Sequence, residues 1–354
     1  MADIKTFYNA KNIVALWEQI KSANYAKQLE KWFPYRKTTE TDISLAYGYE
    51  RQNVALDLCA YDTNARIRGL QPVSTAKMEM PFFKNSVLFT EKQRREVLQA
   101  VKFAQDDMAI ATALASHMEN VVDILLNGPD VVGERYRAQL LQHGAIVVSS
   151  PKSHVSPSAV SINYDVRGKW KDRNVDYWGT KPSAGTTDVL ADMRGVMDEY
   201  QKKNGVAPCS WIMNGSTWLN ICNDTRINAI LTANGFNKTV EQVINDVLRV
   251  PVNIVVNSAT YRPDEDEPEI PYWEEDVISI VPNRQLGHVL VGLTPTQYDE
   301  MYSEAKRDVA SSSENFCIQC RHRDDPIQTE AIGSTTMLPQ FDEMDKCFVI
   351  RPES

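Results

Sequence analysis

The sequence predicts an α+β fold, and three stretches of the chain carry that prediction. Apolar and small residues recur at helical spacing from Thr90 to Asn127, which indicates one long helix. Before that helix, residues 45–89 alternate between apolar and polar positions, as paired strands do. After it, strand-like and helix-like patterns alternate between Asp188 and Asn257, which is typical of a compact α/β domain.

The first 44 residues are predicted to form an arm that extends from the body of the protein. They are aromatic and partly helical, but their apolar positions do not form a core of their own. We therefore expect Trp32 and Phe33 to contact another molecule. Removal of residues 2–35 is expected to leave a folded chain.

Residues 45–89 are predicted to form a long two-stranded loop. A lone hairpin is marginally stable in water, so one of this length is expected to rest on something outside the fold. Its basic residues are expected to help make that contact, and they are Arg51, Arg66, Arg68, Lys77 and Lys84.

The long helix has clear start and stop signals. Thr90 and Gln93 have the spacing of a capping box, and Asn127-Gly128-Pro129 is a helix stop. The stripe between them contains three alanines, at Ala104, Ala111 and Ala115. Small residues let a helix pack closely against a sheet, whereas a coiled coil prefers Leu and Ile, so a packed spine is favoured over a coiled coil.

Shorter elements are predicted after the long helix. Helices are expected near Glu134–Gln142, from Asp188 to Asn204, and at Ser216–Asn223 and Val240–Leu248. Strands are expected at Ala145–Ser149, Ala159–Val166, Ser210–Met213, Val252–Val256, Val277–Pro282, Phe316–Arg321 and Cys347–Arg351. The helix from Asp188 places five apolar residues on one face: Val189, Met193, Val196, Met197 and Tyr200.

The composition excludes several classes of protein. With 43% hydrophobic and 24% charged residues among 354, the chain is neither disordered nor fibrous. The net charge of −9 argues against binding nucleic acid through bulk charge. No apolar run reaches the ~20 residues that span a bilayer, and the start lacks the pattern of a signal peptide, so we expect a cytoplasmic protein. Six cysteines are few for this length, so reduced thiols are expected.

Charge is distributed unevenly along the chain. Residues 1–100 contain 15 basic and 11 acidic residues, a net charge of +4, which leaves 23 basic and 36 acidic residues, a net charge of −13, for the remainder. A basic N-terminal part and an acidic body suit a protein that binds copies of itself. A basic arm facing DNA, or a merely solvated surface, would have the same composition.

Catalytic and metal-binding motifs are absent from the sequence. It contains no GxxxxGK, GxGxxG, HExxH or GxSxG, and its five histidines are scattered. Cys317 and Cys320 fall in a strand-like segment, where residues three apart point to opposite faces, so we expect no shared metal ion. The acidic run from Asp264 to Asp276 is predicted to be a solvated loop. We therefore predict no cofactor, no metal and no enzymatic activity.

A resemblance to a known family extends across most of the chain. Near the start it is carried by Trp32-Phe33-Pro34, Thr38-Thr39-Glu40-Thr41, Arg68-Gly69 and the capped long helix. Centrally it is carried by Asn163-Tyr164-Asp165, Trp178, Asp188, Pro208, Trp211-Ile212-Met213-Asn214, Trp218-Leu219, Ile227 and Leu231. Near the end it is carried by Pro282-Asn283, Gly287, Gly292-Leu293-Thr294-Pro295, Asp325-Pro326, Leu338-Pro339 and Phe348-Val349. In these motifs the chain resembles the lambda-type phage major capsid proteins, the E family.

The resemblance implies the Hong Kong 97 capsid fold and a structural function. Residues 1–44 would be its N-terminal arm, 45–89 its extended loop, 90–185 its peripheral domain with the spine helix, 186–304 its axial domain, and 305–354 strands that return to the peripheral domain. The chain would assemble in the host bacterial cytoplasm into the hexamers and pentamers of a virion shell around double-stranded DNA. Its implied partners are a separate scaffolding protein, a portal and, optionally, a decoration protein. Residues expected at contacts between subunits are Trp32, Phe33, Arg66, Arg68, Lys77 and Lys84.

Two other functions stay open from the sequence. A bacterial nanocompartment of the encapsulin type shares the shell plan but encloses a cargo enzyme. A more remote alternative treats residues 188–257 as an α/β metal-dependent enzyme that uses the acidic loop.

Overall fold

The structure is a computed structural model, and it describes most of the chain in separate stretches. The described residues are 9–15, 18, 27–40, 42–46, 75–103, 125, 127–148, 160–165, 170–176, 178, 188–205, 208–264, 266–302, 307–312 and 316–353. The strands are β1 (Tyr35–Lys37), β2 (Asp42–Ala46), β3 (Thr75–Glu79), β4 (Phe82–Phe89), β5 (Ala145–Val148), β6 (Val160–Asn163), β7 (Lys171–Asp176), β8 (Cys209–Met213), β9 (Val252–Val256), β10 (Thr260–Tyr261), β11 (Ile270–Pro271), β12 (Ile278–Pro282), β13 (Gly287–Gly292), β14 (Asp308–Ser311), β15 (Cys317–Asp324), β16 (Ile327–Phe341) and β17 (Phe348–Glu353). The helices are α1 (Glu91–Phe103), α2 (Gly128–His143), α3 (Val189–Asn204), α4 (Gly215–Cys222), α5 (Thr225–Ala233), α6 (Val240–Leu248) and α7 (Pro295–Tyr302).

The chain divides into two compact units, and each is assembled from segments remote in sequence. The first unit comprises Met1–Ile43, Glu79–Ala138 and His288–Gln340. The second comprises Ser44–Met78, Gln139–Gly287 and Phe341–Ser354. The boundaries predicted after residues 89, 185 and 304 differ from this division, because remote strands decide which segments share a core.

The first unit is built on a six-stranded sheet around the long strand β16. The order is β1-β13-β16-β15-β14, and β4 pairs with β16 as well. β1 is parallel to β13, whereas β4 and β15 are antiparallel to β16. Nearly every residue of β16 from Thr329 to Phe341 is buried, so both of its faces are covered.

The second unit is an α/β domain with the sheet order β7-β17-β12-β8-β9. β8 and β12 are buried along their whole length, as central strands covered on both faces are. Helix α3 begins after Asp188, whose side chain accepts a hydrogen bond from the Ala191 N–H. The helix is capped at its C-terminal end by Gly205. The five residues predicted to share its inner face are all buried, which confirms that face.

Helix α1 begins where the sequence predicts it. The Gln93 side chain accepts a hydrogen bond from the Thr90 N–H at 3.0 Å, and the Thr90 hydroxyl accepts one from the Gln93 N–H at 3.5 Å, which confirms the capping box. The described part of this helix ends at Phe103, and residues 104–124 lie outside the described residues. The full length of the predicted spine therefore stays a prediction.

Helix α2 starts earlier than the sequence pattern indicates. It begins at Gly128 instead of near Glu134. Pro129 suits the first turn because its missing N–H would have no partner there, and the Asp130 carboxylate is favoured by the helix dipole. The motif that is predicted to stop the preceding helix therefore contains the start of this one.

The predicted loop of residues 45–89 is too long at its C-terminal end. β2 and β3 form a two-stranded sheet, and residues 47–74 lie outside the described residues. The next strand, β4, pairs with β16 from Phe89 opposite Thr329 to Phe82 opposite Thr336. Alternation shows that a segment is a strand but does not identify its partner, which here is about 240 residues away along the chain.

The C-terminal strand also belongs to a different unit from the one predicted. β17 pairs with β12 and β7 in the α/β unit, whereas β14, β15 and most of β16 lie in the first unit. Its composition resembles that of any other buried strand, so the sequence could not assign its sheet.

The prediction of an extended N-terminal arm is wrong for residues 27–37. Leu29, Trp32 and Phe33 are fully buried in the first unit, and β1 follows them at Tyr35. Aromatic residues near a chain end look unpartnered in sequence because the surfaces that bury them come from segments far along the chain.

We therefore expect removal of residues 2–37 to unfold the first unit, instead of leaving a folded chain. Burial of three large apolar side chains contributes about 5–8 kcal/mol, which is comparable with the whole stability of a domain. Urea unfolding followed by circular dichroism measures the loss. A truncated chain that unfolds at the same urea concentration as the full chain would contradict the assignment of these residues to the core.

Candidate interface surfaces

The six residues predicted to contact another subunit fall into three groups. Arg66 and Arg68 lie outside the described residues, and so does the side chain of Lys77, whose backbone is in β3. Lys84 is exposed on β4, opposite Ser334. Trp32 and Phe33 are buried inside their own subunit, which corrects their assignment, because a fully buried side chain has no surface for a partner.

Polar side chains of α2 hold the N-terminal segment through its backbone. The Glu134 carboxylate accepts a hydrogen bond from the Leu29 N–H at 3.1 Å and from Arg137 Nη1 at 3.1 Å. Arg137 Nε donates to the Phe33 carbonyl at 2.9 Å. The helix thus binds the segment on both sides of Trp32.

The first turn of α2 holds the following residues. The Tyr35 hydroxyl donates to the Asp130 carboxylate at 3.2 Å, and Lys27 Nζ lies 3.0 Å from the same oxygen. The Arg137 guanidinium stacks over the Tyr35 ring, 4.4 Å from its centroid. Gly133 makes this approach possible, since a Cβ at that position would overlap the Tyr35 hydroxyl.

Burial controls the electrostatics of this cluster. It raises the pKa of Glu134, and the charge of Arg137 and the hydrogen bonds from Leu29 and Arg137 oppose that rise. The Arg137 side chain is completely buried and always carries its charge. The enclosed cation therefore needs the carboxylate, the carbonyl and the ring that surround it.

We expect Arg137→Met to lower the free energy of unfolding by about 3–5 kcal/mol, because it leaves a buried carboxylate without its cation. The matched control is Arg323→Met, which removes an exposed arginine 3.4 Å from Glu330 and is expected to cost at most about 1 kcal/mol. Urea unfolding of both variants makes the comparison. Equal losses would contradict an anchoring role for Arg137.

The acidic run forms a hairpin on the second unit, as the loop prediction requires. β10 and β11 pair at its base, and Arg262 bridges to Glu269 at 3.0 Å. Asp266, Glu267 and Glu269 are exposed. Among the described residues, no group of three or more His, Cys, Asp or Glu side chains is arranged to hold a metal ion.

The hairpin is anchored around the fully buried Trp273. The Gln142 side chain donates to the Tyr272 carbonyl at 3.0 Å and accepts from the Glu274 N–H at 2.8 Å. The Asn214 side chain donates to the Trp273 carbonyl at 2.8 Å. The backbone is therefore held at Trp273 and at both of its neighbours.

A histidine next to Gln142 adds a titratable contact. Arg351 Nη2 lies 3.3 Å from His143 Nδ1, and because arginine can only donate, Nδ1 accepts. The proton of a neutral His143 is then on Nε2, which lies 3.1 Å from Glu274 Oε1. This hydrogen bond lowers the pKa of Glu274, and the positive charge of Arg351 adds to the effect.

Acidification is expected to loosen this anchor. The folded-state pKa of Glu274 is depressed, so its contribution is present above the usual glutamate pKa of about 4.3 and is lost as the pH falls through the lower folded value. Hydrogen exchange of residues 258–277, corrected for intrinsic rates, should show less protection at acidic pH than at pH 6. His143→Ala should reduce the difference, whereas His322→Ala, on β15, should not. The same pH dependence in both variants would contradict the assignment.

Cys317 and Cys320 lie on β15 and are both buried, in the strand that the sequence predicts. Burial raises the pKa of the Cys320 thiol to about 12 and raises that of Cys317 as well. Both thiols are therefore protonated, weak nucleophiles at neutral pH.

The sequence analysis missed an exposed apolar surface on α7. Tyr298, Met301 and Tyr302 are 55%, 63% and 75% exposed, and no residue of this helix is buried. The two tyrosine rings lie 4.6 Å apart. Their i, i+3, i+4 spacing was a usable signal, but it normally marks a face packed on the core.

Another exposed aromatic residue lies between α5 and α6. Phe236 is largely exposed and has a φ of 55°, directly after Gly235 at 62°. A left-handed phenylalanine is uncommon, and the turn is held by the Phe236 N–H, which donates to the Leu231 carbonyl at 2.9 Å.

In the described part of the chain, none of the helices is long and apolar enough to cross a membrane.

Two solved structures resemble this chain over nearly its whole length. One is a phage-related protein from Bordetella bronchiseptica RB50, with 8% identity, a TM-score of 0.52 and coverage of 96% of each chain. The other is a protein of an Escherichia coli CFT073 prophage that is provisionally described as its capsid protein, with 10% identity, a TM-score of 0.58 and coverage of 98% of this chain and 99% of that one. No protein-family model and no curated protein sequence matches the chain. The structural likeness confirms the predicted fold class, the Hong Kong 97-type capsid fold.

Proposed function

We propose that this chain is the major capsid protein of a phage, the repeated subunit of an icosahedral shell around packaged double-stranded DNA. The likeness to the prophage protein carries the proposal, because it covers 98% of this chain and 99% of that one and so includes both units. The finer assignment, to the lambda-type E family, rests on the sequence motifs given above. The role is structural, without catalysis.

The exposed apolar residues support self-association. A soluble monomer seldom exposes a contiguous apolar cluster without a partner to cover it. On α7 such a cluster lies on a helix with no buried residue. We propose that copies of the chain cover surfaces of this kind when they form hexamers and pentamers.

The charge of the chain suits enclosure of DNA better than binding of it. With a net charge of −9, the shell wall would not release the counterions that drive nonspecific binding to phosphates. DNA would therefore be retained by confinement. A scaffolding protein, a portal and, optionally, a decoration protein would complete assembly, which would take place in the host bacterial cytoplasm.

The basic residues of the loop keep their predicted role within this proposal. Arg66, Arg68 and Lys77 would lie on the acidic body of an adjacent subunit, where opposite charges set orientation and exclude wrong contacts.

Electron microscopy of the purified chain, expressed alone and with a candidate scaffolding protein from the same genome, tests the proposed function. We expect closed shells with five- and six-fold capsomers in at least one preparation. A monomer in both preparations, even at high concentration, would contradict it. Shells isolated with an enclosed enzyme instead of DNA would favour the nanocompartment alternative.

A further inference from the structure

Helix α7 lies at one edge of the sheet in the first unit. It lies against β14, the edge strand, and β15, and the Gln297 side chain donates to the Ser311 hydroxyl at 2.7 Å. Thr294 and Gln297 form a reciprocal cap at its start, with hydrogen bonds of 2.9 and 3.4 Å. The helix is thus held at its N-terminal end, while Tyr298, Met301 and Tyr302 point to solvent.

The opposite edge of the same sheet carries a second apolar surface. Around Ser334, β16 pairs with β15 on one side and with β4 on the other. Phe82 and Leu88 of β4 are 46% and 42% exposed, and Lys84 lies exposed between them. Their even spacing places all three on one face of the strand. The inward residues alternate with them, and Phe83 packs edge-to-face on Tyr136 with ring centroids 6.2 Å apart.

The two surfaces are opposite in charge. Helix α7 contains Asp299 and Glu300 and no basic residue, a net charge of −2. Residues 82–96, which comprise β4 and the start of α1, contain four basic and two acidic residues, a net charge of +2. The basic residues are Lys84, Lys92, Arg94 and Arg95. Arg307 neutralises part of the α7 charge at Asp299, 2.7 Å away, and Glu300 is exposed.

We propose that α7 of one subunit docks on the β4 surface of a second copy of this chain. Tyr298, Met301 and Tyr302 would cover Phe82 and Leu88, and Glu300 would face the basic residues around Lys84. The buried apolar area then supplies the affinity. Charge favours this contact over one between two α7 helices, because the latter would place acidic residues together. The inference rests on the proposed function and names the residues of one contact in the shell.

The position of the two surfaces determines the kind of assembly. They are different patches at opposite edges of one sheet, so a contact between them is heterologous and leaves a free β4 surface on one subunit and a free α7 surface on the other. Repetition of such a contact closes into a ring when the rotation permits. A ring of subunits is the form of a hexamer or a pentamer.

Two variants test this contact, each with one surface removed. The α7 variant is Tyr298→Ser, Met301→Ser and Tyr302→Ser, and the β4 variant is Phe82→Ser, Lys84→Glu and Leu88→Ser. The matched controls keep the surfaces apolar and charged: Tyr298→Phe, Met301→Leu and Tyr302→Phe for α7, and Phe82→Leu, Lys84→Arg and Leu88→Met for β4. Circular dichroism establishes that all four proteins are folded before they are compared.

We expect each surface variant to lower the particle yield at least about tenfold and each control to keep the wild-type yield. In an equimolar mixture, sedimentation velocity should show a complex of two copies, because the α7 variant keeps its β4 surface and the β4 variant keeps its α7 surface. A mixture that sediments as the two separate proteins do would overturn the contact. So would a β4 variant that dimerises by itself, since α7 would then bind α7.

The outcome separates this contact from the proposed function. If the wild-type chain forms shells and the α7 variant forms them equally well, the shell role stands and the α7 contact is wrong. If the wild-type chain forms no particles under any condition, the proposed function itself fails.

Discussion

The buried pair of Glu134 and Arg137 is the interaction on which the first unit depends. Both side chains lie on α2 and bind the backbone of the N-terminal segment, at the Leu29 N–H and the Phe33 carbonyl. With the backbone held there, Trp32 and its neighbours are buried and the chain enters β1 in register with β13. Hydrogen bonds to charged groups are stronger than neutral ones, and a buried charge that loses its partner is costly. The arrangement therefore permits little variation in where the segment lies.

The same helix performs a similar task in the second unit. Gln142 binds the backbone on both sides of Trp273, and His143 contacts Glu274. Each anchor is a polar side chain that satisfies main-chain groups of a segment remote in sequence. Such groups must find partners when they are buried, so a single amide or guanidinium can determine the path of several residues.

In the proposed shell, stability and association would be carried by different residues of this protein. The anchors and the sheet cores are enclosed, whereas α7, one face of β4 and the acidic residues of the hairpin are exposed to solvent. Residues that are exposed in the subunit contribute little to its stability, and they can serve contacts between copies without disturbing the fold. The proposed shell requires this separation, because the subunit must be folded before it assembles.

The sequence by itself determined the elements that depend on local interactions. The capping box at Thr90, the inner face of α3 and the strand at Cys317 follow from neighbouring residues, whose spacing matches the helical or extended period. The resemblance in sequence motifs also identified the fold class, since the motifs occur in the same order along the chain. No local pattern indicated that Trp32 is buried, that β4 pairs with β16, or that β17 joins the α/β sheet. The helical spacing of Tyr298, Met301 and Tyr302 normally marks a buried face, whereas these residues are exposed. These features were decided only by tertiary structure, because hydrophobic periodicity shows that a face is apolar but not which distant segment, or which other molecule, covers it.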